Sequence, residues 1–306
     1  MSDPSSPPII AIVGPTASGK TSLSLDLAQA LGGEIVNTDA MQVYRGMDIG
    51  TAKLPVEERR GIPHHLLDTL DVQDPATVAH FQAWARAAIA DIRSRGASPV
   101  LVGGSALYTR AILDRFEFPA TDPEVRARLE AELDEVGSAV LHRRLLDLDP
   151  VSGERIPAEN GRRIVRALEV IAITGEPFST GLPEPEYADP ATVQIGVAIE
   201  RDVLEARIRL RVREMFDAGL LDEVERLLGE GLAEARTASM AIGYRQARAV
   251  LDGSMTLDEA VDRTVIATRQ FSRRQMAWWK IDPRITWVEH DDPDRVAKAL
   301  DVVQRG

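Results

Sequence analysis

The stretch Ile9-Ile10-Ala11-Ile12-Val13-Gly14-Pro15-Thr16-Ala17-Ser18-Gly19-Lys20-Thr21 decides the fold. Its opening run, Ile9 to Val13, is short, branched and apolar, which suits a strand buried on both faces of a parallel sheet. The run Gly14 to Thr21 matches G-x-x-x-x-G-K-[ST] in the context that pattern requires, after a strand and at the start of a helix. The helix is expected from about Lys20 to Leu31, with Leu23, Leu27 and Leu31 at helical spacing and Gly32-Gly33 as the stop. Glu34 to Asn37 then reads as a second strand. Strand, glycine-rich turn, helix and strand make a βαβ beginning, so the fold class is α/β: a P-loop NTPase-like parallel sheet flanked by helices.

Working outward, further strands are expected at His65 to Leu70, Pro99 to Val102, Val193 to Ile199 and Ile285 to Val288, with a helix from Val78 to Arg95. Between Phe116 and Pro190 strand signals vanish, while amphipathic patterns recur from Pro123 to Leu148 and from Gly161 to Ile173. The expected organisation is a core of residues 1–115 and 191–306 with a helical insertion at 116–190. Long helices are expected at Val203 to Leu228 and Leu257 to Lys280.

Composition narrows the setting. With 44% hydrophobic and 27% charged residues, the 306-residue chain is globular. Met1 to Pro8 has neither the basic start nor the apolar centre of a secretory signal, and no run reaches membrane-span length. The absence of cysteine excludes disulfides and thiolate zinc sites and fits a reducing cytoplasm. A net charge of −12 argues against indiscriminate nucleic-acid binding. Locally the balance reverses, because Arg263, Arg269, Arg273, Arg274 and Lys280 follow one another with no Asp or Glu between Arg263 and Lys280.

The glycine-rich run is a phosphate cradle. Its backbone lets successive N–H groups and a helix N-terminus face an anion, Lys20 adds positive charge, and the Thr21 hydroxyl suits a magnesium ion. This predicts a bound di- or triphosphate without saying which. A phosphoryl-transferring enzyme also needs an acid at the end of an apolar strand. Pro99 to Val102 runs instead into Gly103-Gly104-Ser105, although Asp68 could substitute. Asp39 lies two residues beyond the second strand, at the carboxyl edge where open α/β sheets bind ligands, and is expected beside the phosphates.

The run Asn37-Thr38-Asp39-Ala40-Met41-Gln42-Val43-Tyr44-Arg45-Gly46-Met47-Asp48-Ile49-Gly50-Thr51-Ala52-Lys53 resembles the signature that follows the P-loop in tRNA dimethylallyltransferases. The resemblance continues, in the family's order, through Pro63 to Asp68, Val102 to Tyr108, Arg163 to Glu169, Ala241 to Tyr244 and Thr268 to Gln275, and spans roughly Ile9 to Val288. It implies transfer of a dimethylallyl group from dimethylallyl diphosphate to N6 of adenine 37, in the anticodon stem-loop of tRNA. The cradle, Gly14 to Thr21, would then hold a leaving diphosphate with magnesium. Asp39 would act on the amine, and a flipped adenine would pass Ala40, Met41 and Gln42.

By the same resemblance Ser105, where the family commonly has Thr, is a catalytic candidate and also a helix N-cap. Ala106 stands for a usual Gly, which bears on the backbone angle there. Arg207 and Arg211 belong near the diphosphate. Arg162, Arg163, Ile164, Val165 and Arg166 in the insertion, with Arg273 and Arg274, belong against tRNA. Arg162 stands where Gln is usual, and so does Met240. His64 and His65 point apart in a strand and lack a third ligand, so they do not read as a metal site. Trp278 and Trp279 read as core. A monomer is expected. A small-molecule P-loop kinase, an isopentenyltransferase acting on free adenine nucleotides and a nucleotide-binding switch are the alternatives.

Overall fold

A computed structural model describes residues 6–115, 118, 121–180 and 184–305. The first five residues of the Met1 to Pro8 stretch, and Phe116 at the expected edge of the insertion, lie outside these. The chain divides into two compact units, residues 1–114 with 187–306, and residues 115–186.

The larger unit is built on six parallel strands: β1 (Ile9–Val13), β2 (Glu34–Asn37), β3 (His64–His65), β4 (Pro99–Val102), β5 (Thr192–Ala198) and β6 (Ile285–Glu289), in the order β3-β2-β4-β1-β5-β6. Strand alternation sorts the core into two layers. Ile10, Ile12, Ile35, Val100 and Ile195 pack with Leu23, Leu27 and Ala28 of α1 (Lys20–Leu31), while Ala11, Val13, Val36 and Leu101 pack on the other side with Phe81, Ala85 and Ile92 of α2 (Val78–Ser94). α3 (Ala106–Leu113) follows β4.

The smaller unit holds α4 (Pro123–Val136), α5 (Ser138–Leu148), α6 (Pro150–Arg155) and α7 (Gly161–Thr174) around Leu129, Leu141, Leu145, Ile164 and Leu168. Asp122 caps α4, accepting from the N–H groups of Glu124 and Val125, and Asn160 caps α7, accepting from Arg163 N–H. Beyond β5 come α8 (Arg201–Asp217), α9 (Leu220–Gly229), α10 (Tyr244–Leu251) and α11 (Leu257–Trp279), and after β6, α12 (Arg295–Arg305). No helix among the described residues is long and apolar enough to cross a membrane.

Two expectations are corrected. The strand over His65 to Leu70 stops at His65, because Leu66 (φ 62°) and Asp68 (φ 53°) are left-handed. The helix over Val203 to Leu228 breaks at Gly219 (φ 102°), where positive φ is cheap only without a Cβ, and the amphipathic stretch Pro123 to Leu148 holds two helices that meet at Gly137 (φ 79°). Ala106 opens α3 and is not among the positive-φ residues, so Ala serves there as well as Gly.

Candidate active site

Register brings three strand ends together. Asn37 of β2 pairs with Val102 of β4, Ile12 of β1 pairs with the same Val102, and Thr38 N–H continues the ladder to the Val102 carbonyl at 2.9 Å. The glycine-rich run, the Asp39 loop and the Gly103-Gly104-Ser105 turn therefore share one carboxyl edge of the sheet, the edge where such folds bind ligands.

The turn from Gly14 to Gly19 is strongly curled. Gly14 (φ 139°) and Gly19 (φ 98°) take angles that favour glycine, and Ala17 (φ 64°) takes a left-handed one despite its Cβ. The curl buries Pro15 and Ser18, and the Ser18 hydroxyl has no hydrogen-bond partner among the described residues. Thr16 N–H points away to the Gln275 side chain. The Lys20 ammonium folds back onto the Pro15 carbonyl at 2.5 Å. Burial, and to a lesser extent Arg211, pull its pKa down to about 7, with Asp39 opposing. Thr21 is exposed at the first turn of α1.

Cations close the other side. The half-buried Arg207 and Arg211 come from α8, and a Cβ built on Gly19 would stand 3.9 Å from Arg207 Nη1. Burial lowers the Arg211 pKa, with Glu214 opposing and Arg207 adding to the fall. Two arginines and a buried lysine, with a buried Ser18 hydroxyl that has no partner among the described residues, are an arrangement that an anion would relieve.

Asp39 is half-buried, and its Oδ1 accepts from Met41 N–H at 2.9 Å. Burial raises its pKa above the ordinary aspartate range, while the Met41 N–H, the Lys20 charge and the Gln42 N–H pull the other way. A carboxylate so placed can take a proton, because desolvation makes it a stronger base. Ala40 is buried, and Met41 packs half-buried on the core. Gln42 is half-buried, with its amide nitrogen donating to the Thr51 carbonyl at 3.0 Å. The loop they open is anchored by buried Glu223 of α9, which accepts from Asp48, Ile49 and Gly50 N–H groups and from the Tyr244 hydroxyl.

Ser105 is the residue before α3, as expected of an N-cap, but its side chain makes no capping hydrogen bond. Asp68, the substitute kinase acid, is taken up by Lys53 at 2.6 Å, which also holds Asp48 and the Tyr44 carbonyl. Asn37, Tyr108 and Gln275 were missed as site residues. Tyr108 is pushed up to about 12, by burial first and then by the charges of Tyr44 and Asp39. Gln275 stands on the buried stripe of α11 with Ser272 and Trp279, and a polar side chain at a core position is the signal that marks it.

The arginines expected against RNA divide. On α7, Arg162 and Arg163 are exposed, but Arg166 pairs with the buried Glu169 at 2.7 Å, together with Arg126. Ile164 and Val165 are 0% and 3% exposed inside the four-helix core, so their side chains pack against the other helices of the insertion. On α11, Arg273 reaches Glu205 at 3.6 Å and Arg274 lies over the Phe271 ring at 5.9 Å. Met240 is exposed. Trp279 is core and Trp278 is at the surface, which corrects half of that expectation. His64 bonds the Ile62 carbonyl and His65 bonds Glu34.

A six-stranded parallel sheet flanked by helices, with a curled glycine-rich turn, two arginines and a desolvated aspartate at one carboxyl edge, defines a P-loop-like α/β protein. The chain belongs to the IPP transferase family, whose sequence model matches residues 42–282. A tRNA dimethylallyltransferase of Nocardioides sp. is 69% identical over 300 residues, covering 98% of this chain and 97% of that one. Another, of Pseudarthrobacter chlorophenolicus, is 56% identical over 293 residues, covering 96% and 97%. Among solved structures, the full-length tRNA isopentenylpyrophosphate transferase of Bacillus halodurans superposes with a TM-score of 0.70 at 40% identity, over 97% of this chain and 95% of that one. A eukaryotic dimethylallyltransferase acting on tRNA superposes with a TM-score of 0.80 at 26% identity, over 98% and 77%.

Proposed function

We propose that this chain transfers a dimethylallyl group from dimethylallyl diphosphate to N6 of adenine 37 in the anticodon stem-loop of tRNA, releasing diphosphate. The observation that carries the reading is the sharing of one sheet edge by the cradle and Asp39, with Gly103-Gly104 in the kinase acid's place. The names of relatives 69% and 56% identical support the same reaction.

In this reading the allylic C–O bond breaks and its electron pair leaves on the diphosphate. Cradle N–H groups, Lys20, Arg207 and Arg211 stabilise that growing negative charge more than they stabilise the substrate. The N6 lone pair forms the new C–N bond, and the N6 proton passes to Asp39. The adenine must leave its stack to reach the carbon, past Ala40, Met41 and Gln42. Ser105, whose hydroxyl makes no capping bond to α3, offers a donor beside the reacting atoms.

Magnesium fits the residues present. The Thr21 hydroxyl is exposed at the first turn of α1, where it would join substrate phosphate oxygens in holding the ion. Bound there, it would neutralise part of the diphosphate charge. The exposed Arg162 and Arg163 of the insertion, with Arg273 and Arg274 of α11, would meet the RNA backbone. The proposed working unit is a monomer, in the cytoplasm where tRNA is found.

The test is incubation of purified protein, magnesium and labelled dimethylallyl diphosphate with unmodified tRNA, beside arms containing free adenine nucleotides or ATP with small alcohols. Label is expected in RNA at adenine 37. Label in a free nucleotide, or phosphate on a small alcohol, would overturn the proposal.

A further inference from the structure

Gln275 is separated from the cradle by 259 residues, yet it is stitched into it. Its Oε1 accepts the Thr16 N–H at 2.9 Å, and its Nε2 donates to the Gly104 carbonyl at 3.0 Å. The side chain is buried, and its amide thus spans two backbone segments as one rung of a β-ladder would, at a level where β1 and β4 have already stopped pairing. The fit is close. A Cβ on Gly104 would stand 2.1 Å from Nε2, so glycine at 104 is what admits the amide. Its neighbour Gly103 performs the same service for Thr38, whose Oγ1 would meet an added Cβ at 2.1 Å. Thr38 immediately precedes Asp39. The two glycines therefore seat one side chain from the cradle's side and one from the aspartate's side.

We infer that Gln275 is a positioning residue, which fixes the Gly104-Ser105 turn against the diphosphate cradle and so sets the spacing between leaving group and nucleophile. This rests on the transfer reaction proposed above. A misplacement of about 1 Å between reacting atoms can cost about a hundredfold in rate, so slack here affects the rate more than the affinity. A neutral amide satisfies both ends at every pH, because Thr16 offers a donor and Gly104 an acceptor. A carboxylate would satisfy Thr16 and repel Gly104, whereas a protonated carboxyl would satisfy both.

That asymmetry supplies the test. In Gln275→Met, kcat with both substrates saturating is expected to fall at least about tenfold, while affinity for inorganic pyrophosphate with magnesium changes less than about fivefold. In Gln275→Glu, kcat relative to wild type at the same pH is expected to be low at about pH 8.5 and to rise severalfold by about pH 6, as the buried carboxyl protonates. Taking the ratio removes the titration of every other group common to both proteins. A purely structural glutamine would give lower thermal stability but a flat ratio and a normal kcat per folded molecule. Either of those results overturns the inference, and if Gln275→Met fails to fold, the ratio for Gln275→Glu decides alone. Failure of wild type itself to label tRNA would overturn the reaction, whereas labelling by wild type with a flat ratio overturns only the role of Gln275.

Discussion

Asn37 holds the peptide groups of Asp39 from both sides. Its Oδ1 accepts the Asp39 N–H at 2.9 Å and its Nδ2 donates to the Asp39 carbonyl at 3.0 Å, while the same nitrogen donates to Leu66 at 3.0 Å. Asn37 is the last residue of β2 and is buried, so it transmits the rigidity of the sheet to the loop that carries the carboxylate. The Leu66 bond also bends the chain out of β3.

Asn37→Leu keeps the size of the side chain and removes every bond. Loss of the clamp is expected to lower kcat by about 10–100-fold, equivalent to about 1.4–2.7 kcal/mol of transition-state stabilisation. The buried groups left unpaired should cost a further about 1–3 kcal/mol of folding stability. Steady-state kinetics beside a urea titration separates the two effects. Wild-type kcat in the folded variant would show that Asp39 is positioned by something else.

Asp39→Ala is expected to abolish prenyl transfer while leaving affinity for the diphosphate within several-fold, because the carboxylate acts on the amine. In the wild type, transfer requires the ionised carboxylate, and burial raises its pKa above the ordinary aspartate value of 3.8. The rate should therefore fall as pH drops through that raised value. A profile of kcat/KM with no acid limb above the ordinary aspartate range would contradict this, as would residual turnover in the alanine variant near that of wild type.

How much of this was legible follows from how local each feature is. β1, the cradle, α1 and β2 are contiguous, and the alternation of Ile10 and Ile12 against Ala11 and Val13 is visible in the chain itself. The strand beyond His65 was misread because its fate is settled by Asn37, 29 residues away, and by two left-handed residues that carry no glycine to announce them. The break at Gly219 was misread because apolar periodicity runs through it. The arginines of α7 could be found by type, but which of them is free depends on Glu169, buried beneath Arg166. Gln275 is marked locally only as a polar residue on a buried stripe, and its role comes from partners 259 and 171 residues distant.

The arginines of α7 should separate by experiment. Replacing exposed Arg162 and Arg163 with Ala is expected to raise KM for tRNA and reduce the log–log salt slope by about 1 for each phosphate no longer neutralised, with no change for the diphosphate. Arg166→Ala behaves differently, because burial alone would raise the Glu169 pKa and it is Arg126 and Arg166 that hold it below the usual range. Removing one of those partners should cost about 1–3 kcal/mol of stability in the insertion. Thermal melts and salt-dependent binding of the variants check both. An unchanged salt slope in the double variant would exclude these residues from the RNA interface.

Lys20 links the cradle to pH. Its folded-state pKa of about 7 lies well below the 10.5 of an unperturbed lysine, chiefly through burial and then through Arg211. Between those values the unfolded chain holds a proton that the folded one has shed, so stability of the ligand-free protein should rise with pH across that window. Below about 7 both states are protonated, and the cost of burying the charge is fully felt. An anion in the cradle reverses the balance by favouring the ammonium, so binding near about pH 8.5 must draw a proton onto Lys20. Calorimetric titration with pyrophosphate, in two buffers of different ionisation enthalpy, measures that uptake. The comparison with Lys20→Met cancels the ligand's own titration, and wild type should take up as much as about one proton more. Equal uptake by the two proteins would mean that Lys20 is already charged before the anion arrives, and that its buried position costs the fold less than its surroundings imply.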